Sequence, residues 1–306
     1  MRGRSRHVAF QPDAPHSHLM TSKLPVQRSW RLAHDRSLLL GPTARIMGVL
    51  NVTPDSFSDG GRFLALDAAL LQAERMVDEG ADIIDIGGES TRPGFAAVSA
   101  QEECDRVIPV IEAIAARFDV LLSVDTSRIE TARAAVEAGA HIVNDVWGLQ
   151  REPELADLAA ATGAGLVIMH TSRERTALPD PIEDQFAFLN RSLEIARGAN
   201  VDDTQIVLDP GFGFGKETVA LNMALMRRAS ELQALGFPLL VGTSRKRFLG
   251  TITGRDPAAR DVATSATSVI LRLAGAVLFR VHDVATNRDA LAIADAMLAT
   301  DEPLEA

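Results

Sequence analysis

The chain has 306 residues, of which 46% are hydrophobic and 24% charged, so it is long enough for one large α/β domain. Its net charge of −10 argues against nonspecific nucleic-acid binding, and no stretch approaches the roughly 18 apolar residues of a membrane span. Cys104 is the only cysteine, which excludes a disulfide framework or a zinc cluster and suits a cytoplasmic protein.

The N-terminal stretch differs in charge from the rest of the chain. Residues 1–36 carry seven Lys or Arg and two Asp, a net charge of +5, which leaves −15 for the remainder. Residues 1–25 lack the apolar core of a signal peptide, and an Arg-bearing targeting peptide is the lesser alternative. We therefore expect a disordered extension over 1–25 and a single domain over 26–306.

Buried strands are predicted to alternate with helices from residue 46 onward. The apolar residues 46–50 form the first strand, which delivers Asn51 to a polar loop reaching Gly61. A helix follows over 64–79, and Pro109 should kink or restart a later helix over 102–118. Two further helix starts have capping-box spacing, Ser99 with Glu102 and Ser127 with Glu130. The other predicted strands are 82–85, 120–124, 141–144, 165–169, 205–208, 238–241 and 276–280.

Eight strands alternating with helices require parallel pairing through right-handed crossovers, in a closed barrel or an open sheet. An open sheet would make two or three strand ends special, at one switch point. Here nearly every strand ends in a distinctive polar residue, and a barrel gathers all such ends around one mouth. The pattern therefore favours a (β/α)8 barrel, the TIM fold, with its site at the carboxyl ends of the strands.

Two strand ends carry carboxylates. Asp85 opens a glycine-rich turn in which Thr91 and Arg92 offer donors suited to phosphate oxygens, although a plain loop is an equal alternative. Asp125 ends the run 121–125 and must be solvated, paired or bound by a ligand's N–H groups. Capping of the following helix is its alternative role.

The loop after the sixth strand, 209–216, reads Asp-Pro-Gly-Phe-Gly-Phe-Gly-Lys. It is not a phosphate-binding P-loop, because Pro210 and Glu217 replace the required Gly and Ser or Thr. Its phenylalanines suit a wall for a flat aromatic ligand, and filling of the barrel core is the even alternative for Phe212. His170, after Met169, is typical of a satisfied buried polar residue.

Positive charge concentrates after the last two strands. Residues 242–247 include Arg245, Lys246 and Arg247, and alternation directs Arg280 and His282 to the same side. In barrels the loops after strands seven and eight are the common phosphate site. The residues alone thus indicate an enzyme acting on a phosphorylated, flat, nitrogen-rich substrate.

The motifs as a set resemble the dihydropteroate synthase family over residues 45–298. They are NVTPDSFSDGG (51–61), DIGGESTRPG (85–94), SVDT (123–126), NDV (144–146), DPGFGFGK (209–216), SRK (244–246) and RVHD (280–283). The resemblance implies a transferase of folate biosynthesis, a sulfonamide target, that uses Mg²⁺ and forms a homodimer. Its reaction condenses 6-hydroxymethyl-7,8-dihydropterin pyrophosphate with p-aminobenzoate, giving dihydropteroate and pyrophosphate.

The resemblance also implies residue roles. The pterin would contact Asp85, Asp125, Asn144, Met169, Asp209 and Lys246. The pyrophosphate would contact Asn51, Thr91, Arg92, Arg280 and His282, with the metal on Asn51. The p-aminobenzoate would contact Phe57, Pro93, Phe214 and Ser244. Asp125, Lys246, Arg280 and His282 would be the catalytic residues, which stabilise charge and supply no nucleophile.

Two departures from the family pattern stand out: the loop 171–176, and Leu221-Asn222 where a His-Asn pair is usual. The rival interpretations are a methyltetrahydrofolate-dependent methyltransferase barrel and a non-catalytic pterin-binding paralogue. The first has no need of the cationic groups at 245–246, 280 and 282. The second would be marked by loss of Asp125, Lys246 or the 51–61 motif, all of which are present.

Overall fold

The computed structural model describes residues 25–52, 61–89 and 98–299, with only the backbone of 61–65. A short antiparallel hairpin comes first, β1 (Arg28–Arg31) and β2 (Ser37–Leu40). The barrel strands are β3 (Arg45–Asn51), β4 (Ile83–Gly87), β5 (Leu121–Asp125), β6 (Ile142–Asp145), β7 (Gly165–Met169), β8 (Ile206–Asp209), β9 (Leu240–Val241) and β10 (Leu278–Val281). The helices are α1 (Gly61–Asp78), α2 (Ala100–Ala115), α3 (Ile129–Glu137), α4 (Glu154–Thr162), α5 (Pro181–Gly198), α6 (Val219–Arg227), α7 (Arg247–Thr253), α8 (Asp261–Leu273) and α9 (Val284–Ala299).

The eight barrel strands form one parallel sheet in the order β8-β7-β6-β5-β4-β3-β10-β9. A parallel bridge between Leu208 and Leu239 joins its two edges, and the amide of Leu208 donates to the carbonyl of Pro238 at 3.0 Å. The sheet is therefore a nearly closed barrel, which confirms the predicted fold. Its strands are almost wholly buried because helices cover their outer faces.

Local signals predicted three helix features, of which one is confirmed in full. Ser99 caps α2 as expected, since its Oγ accepts the amide of Glu102 at 3.1 Å, and α2 continues through Pro109 as one helix. The predicted cap of α3 by Ser127 is wrong. The amide of Ile129 instead donates to the carboxylate of Glu152, 2.7 Å away, which approaches from another loop.

The hairpin β1–β2 was not predicted, and it covers the amino-terminal end of the barrel. Trp30 is 1% exposed, and its Nε1–H donates to the carbonyl of Gln205 at 2.7 Å. Its ring reaches Gly165 closely enough that a Cβ there would lie 3.1 Å from it. Barrel residues pack beneath the hairpin, among them Met47, Ile83, Leu121, Val167, Val207 and Leu278. The opposite, carboxyl end is left for the site.

Candidate active site

The strand register brings the predicted polar residues together at the carboxyl ends. Asn51 pairs with Gly87, Gly87 with Asp125, and Asp125 with Asn144, so these residues form one row around the barrel. Asp85 lies two residues below that row on β4 and is completely buried. The site is therefore layered, with one carboxylate at its base and another at its rim.

Arg280 of β10 connects those two carboxylates. Its Nε donates to Asp85 Oδ2 and its Nη2 to Asp125 Oδ2, both at 2.6 Å. Asn144 Nδ2 also donates to Asp85 Oδ2, at 3.2 Å. Within the described part of the chain, Asp85 Oδ1 is buried and has no hydrogen-bond partner. Asp125 thus forms an ion pair and does not cap the following helix, the alternative that its position allowed.

Burial changes the proton affinities of the carboxyl groups. It raises the pKa of Asp125 to about 7; Arg280 opposes this shift, and Asp85 and Glu103 add to it. Burial likewise raises the pKa of Asp209 to about 6, opposed by a hydrogen bond of 2.7 Å from the amide of Gly211. Both groups would be stabilised as carboxylates by a ligand that offers N–H donors.

Lys246 and Phe214 form the cationic and aromatic side of the site. Lys246 Nζ lies 4.0 Å from the centroid of the Phe214 ring, and burial lowers its pKa to about 8, with Arg280 adding to the shift. Phe214 packs with Met169 and Val146 in a small apolar cluster. Phe212 is fully buried in the main core and contacts Phe248, so its alternative role as core filling is the right one.

Ser244 and His282 form a second polar pair. The amide of His282 donates to Ser244 Oγ at 3.1 Å, and Oγ lies 2.8 Å from His282 Nδ1. Ser244 Oγ has a second lone pair as well as its O–H, so it can pair with Nδ1 in either tautomer of the imidazole.

The three consecutive cations at 245–247 do not point to the same place, because the backbone turns at Arg245. Arg245 has φ 57° and binds Asp261 with two nitrogens at 2.8 and 2.7 Å, and Arg247 pairs with Glu217. Of the three consecutive cations only Lys246 lies beside Phe214 and Asp209. Arg245 is therefore held by Asp261, and Lys246 is the member of the cluster that lies beside Phe214.

Comparison with known proteins decides the relationship. The family model described as pterin-binding enzyme matches residues 47–282. A dihydropteroate synthase of Bacillus subtilis is 48% identical over 256 residues, which cover 83% of this chain and 88% of that protein. The chain belongs to the dihydropteroate synthases.

Solved structures of the family superpose on most of this chain. A dihydropteroate synthase of Clostridium difficile, determined with pteroic acid, has a TM-score of 0.82 and 44% identity over 84% of this chain and 98% of that one. The Xanthomonas albilineans dihydropteroate synthase, determined with 4-aminobenzoic acid, has a TM-score of 0.83 and 43% identity over 89% and 99% of the two chains.

Four of the predicted site residues lie outside the described ranges. Phe57, Thr91, Arg92 and Pro93 fall in the stretches 53–60 and 90–97, so their predicted roles stay predictions. Asn51 is the exposed last residue of β3. In the described ranges no group of three or more His, Cys, Asp or Glu could hold a metal ion, and none of the helices there is long and apolar enough to span a membrane.

Asn222 and Lys216 hold the 209–216 loop, a role that was predicted for neither residue from sequence. Asn222 Oδ1 accepts the amide of Gly213 at 2.9 Å, and its Nδ2 donates to the carbonyl of Lys216 at 2.8 Å. Leu221 is partly exposed and makes no such contact among the described residues. Lys216 is buried. The sequence comparison with a P-loop excluded phosphate binding but did not predict this burial.

Glu103, which is buried, pairs with the half-buried Arg128 behind Asp125, a contact that sequence reasoning missed. Glu103 Oε2 accepts from Thr126 Oγ1 at 2.9 Å, Thr131 Oγ1 at 2.7 Å and Arg128 Nη1 at 3.1 Å. Thr126 comes directly after Asp125, so this pair fixes the end of β5. The only sequence signal was the Thr-x-Arg spacing that follows Asp125.

Proposed function

We propose that the chain condenses 6-hydroxymethyl-7,8-dihydropterin pyrophosphate with p-aminobenzoate, releasing dihydropteroate and pyrophosphate. The observation that carries the proposal is the Arg280 bridge between Asp85 and Asp125, inside a ring of acceptors at the barrel mouth. The carboxylates can accept hydrogen bonds from the N–H groups of a flat ring, and the guanidinium of Arg280 can bind an anion next to that ring.

The pterin ring is assigned to the acceptors on the strand ends. Asp125, Asn144 and Asp209 are held by parallel ladders and present oxygens to the amino and ring N–H groups of a pterin. Met169 and Lys246 flank this space. Since ligand N–H donors stabilise ionised carboxyl groups, pterin binding should lower the raised pKa values of Asp125 and Asp209.

The pyrophosphate is assigned to Arg280, His282, and the predicted Thr91 and Arg92. A guanidinium has five N–H donors, of which two bind Asp85 and Asp125, so Arg280 can bind phosphate oxygens without giving up its carboxylates. The imidazole of His282, which Ser244 holds through Nδ1, would donate a further N–H when Ser244 O–H donates to Nδ1. Together these groups stabilise the charge that develops on the leaving group.

Magnesium fits this site as an ion held mainly by substrate. Asn51 offers one exposed amide oxygen at the end of β3, and Mg²⁺ is commonly bound by one or two protein oxygens plus phosphates and water. Bound there with Asn51, the ion would neutralise charge on the pyrophosphate.

The second substrate is assigned to Phe214 and Ser244, with the predicted Phe57 and Pro93. In the reaction the methylene C–O bond breaks and its electron pair stays on the pyrophosphate oxygen. The amine nitrogen of p-aminobenzoate then forms the C–N bond and loses a proton to water. Asp125, paired with Arg280, stabilises positive charge on the pterin methylene, so no strong base is required.

A pyrophosphate-release assay tests the proposal against its rivals. Release should require the pterin pyrophosphate, p-aminobenzoate and Mg²⁺ together, and methyltetrahydrofolate should give no methyl transfer. A methyltransferase would show the opposite pattern, and a non-catalytic paralogue would bind the pterin without releasing pyrophosphate.

The same proposal includes a homodimer in the cytoplasm. Large apolar side chains are exposed on α7, α8 and α9, namely Ile252, Val262, Ile270, Ile293 and Met297. Val262 and Ile270 are eight residues apart and share one face of α8. Light scattering should give twice the chain mass, and Ile270→Glu should halve it if this face is the interface.

A further inference from the structure

Lys216 is a buried lysine that the proposed reaction does not use. The residue is 6% exposed, and Nζ lies 3.0 Å from His170 Nδ1, 2.9 Å from the carbonyl of Gly211 and 3.4 Å from that of Phe214. An ammonium has three N–H donors, so these three neutral acceptors use all of them. Burying such a charge is costly, and burial lowers its pKa to about 7.

The partners of Lys216 belong to two loops that follow neighbouring strands. His170 comes directly after Met169 at the end of β7, whereas Gly211 and Phe214 follow β8. The loops touch so closely that a Cβ on Gly211 would lie 1.9 Å from the carbonyl oxygen of His170. Ser172 also donates its amide to the carbonyl of Phe214 at 3.2 Å. Lys216 therefore links two loops that are in direct contact, through hydrogen bonds to both of them.

His170 is itself held from its other side. Its Nε2 lies 3.0 Å from Asp184 Oδ2, and Arg175 binds the same carboxylate with two nitrogens at 2.8 and 2.6 Å. Because a charged Lys216 has no lone pair, His170 Nδ1 accepts from it, and Nε2 lies between Asp184 Oδ2 at 3.0 Å and Arg175 Nη2 at 2.9 Å. Burial, with Lys216 adding to it, lowers the pKa of His170 to about 4, so the imidazole stays neutral.

We propose that Lys216 is a positioning residue for the second substrate: through His170 and two carbonyls it fixes Phe214 as one wall of the p-aminobenzoate pocket. This inference rests on the proposed function. The pterin contacts Asp125 and Asn144 lie on strands whose ladders do not involve Lys216, whereas the charge of Lys216 also opposes the rise in the pKa of Asp209. Loss of its ammonium should therefore affect p-aminobenzoate more than the pterin.

The kinetic test uses Lys216→Met, which keeps the chain length and removes the donors. We expect the KM for p-aminobenzoate to rise about tenfold, with kcat within threefold and the Kd of the pterin pyrophosphate within twofold of wild type. Lys216→Gln, which keeps two donors, should give an intermediate KM. Arg247→Met is the matched control, because it removes a nearby exposed cation that pairs only with Glu217 among the described residues.

Tryptophan fluorescence tests the position of Phe214 without any substrate, so it can support or contradict this inference even if the proposed function is wrong. Trp147 packs against the Met169 and Phe214 cluster, whereas Trp30, the other tryptophan, is 1% exposed at the far end of the barrel. Acrylamide quenching therefore reports on Trp147. We expect stronger quenching in Lys216→Met and wild-type quenching in Arg247→Met, whether or not the wild type makes dihydropteroate.

Two results would overturn the inference. One is an unchanged KM and unchanged quenching in Lys216→Met. The other is an equal loss of affinity for both substrates, which would indicate a general structural role. If Lys216→Met does not fold, Lys216→Gln carries the same comparisons.

Discussion

Arg280 and Asp125 lie on strands separated by two others in the sheet, yet Nη2 and Oδ2 are 2.6 Å apart across the barrel. The same guanidinium reaches Asp85 from its Nε. A closed barrel makes this possible, because side chains from non-adjacent strands share its interior. The bridge keeps a cation and two carboxylates fixed before any substrate arrives, which is the preorganisation that charge-separating chemistry requires.

Arg280→Met and Lys246→Met should each lower kcat/KM for the pterin pyrophosphate by about 30- to 1000-fold. The reason is loss of one buried charge-assisted contact, typically worth roughly 2–4 kcal/mol. Arg280→Lys should recover only part of the loss, because an ammonium cannot span Asp85 and Asp125 as a fork does. Steady-state kinetics on folded variants measure the effect. Arg247→Met is the control, and near-normal rates in the two site variants would contradict the assignment.

Gly211→Ala should destabilise the protein far more than Gly163→Ala. Both glycines have positive φ, +61° and +73°, and so carry the same kind of backbone strain on substitution. A Cβ on Gly211 would meet the His170 carbonyl at 1.9 Å, whereas a Cβ on Gly163 meets nothing within 4 Å. We expect about 1–2 kcal/mol for Gly163→Ala and at least about 3 kcal/mol for Gly211→Ala. Urea unfolding measures both, and equal losses would show that the two loops do not pack as described.

His141 should contribute a loss of stability as pH decreases from about 6.5 to about 4, opposite in sign to the contribution of the raised pKa values of Asp125 and Asp209. Its Nδ1 accepts the amide of Leu122 at 3.0 Å, and burial lowers its pKa from 6.5 to about 4. The unfolded chain therefore binds the proton first, so acid favours unfolding, by on the order of 3 kcal/mol at the limit. His170 acts in the same direction.

His141→Asn tests this effect, because an amide oxygen can accept the same N–H but does not titrate. The free energy of unfolding is measured by urea titration from pH 7.5 to 4, and the difference between variant and wild type should shift in favour of the variant as the pH falls. Identical slopes would exclude His141 as a contributor.

Deletion of residues 1–25 should leave the melting temperature and activity almost unchanged, since that stretch has neither apolar patterning nor a motif. Deletion of residues 1–40 should lower the melting temperature strongly, because it also removes the hairpin with Trp30 and Leu40, both 1% exposed. Calorimetry compares the two. A large effect of the shorter deletion would show that the extension packs on the protein.

The barrel and its strand-end residues were predictable because each strand is a local apolar run that ends in a polar group. The hairpin was not, since its strands have four residues each and Trp30 is stabilised by Gln205, which lies 175 residues away. The cap of α3 by Glu152 is likewise a tertiary contact. The motifs identified Asp125 and Arg280 separately, but only the closed barrel shows that they form one ion pair.

The sequence pattern also did not reveal which of the charged residues in a motif contact the site. Arg245 and Lys246 looked equivalent, yet the positive φ of Arg245 turns it to Asp261. The sequence placed Lys216 where a P-loop has its phosphate-binding lysine, but the residue is buried and hydrogen-bonds the loops that follow β7 and β8. In both cases backbone geometry and burial, which depend on the whole fold, decide what the charge does.

The most direct test of the central claim is the product stoichiometry of the purified wild-type enzyme. Dihydropteroate and pyrophosphate are quantified in one reaction containing the pterin pyrophosphate, p-aminobenzoate and Mg²⁺. The account predicts equal amounts of both products, and neither when p-aminobenzoate is omitted. Pyrophosphate released at the same rate without p-aminobenzoate, or no product from the folded protein, would contradict it.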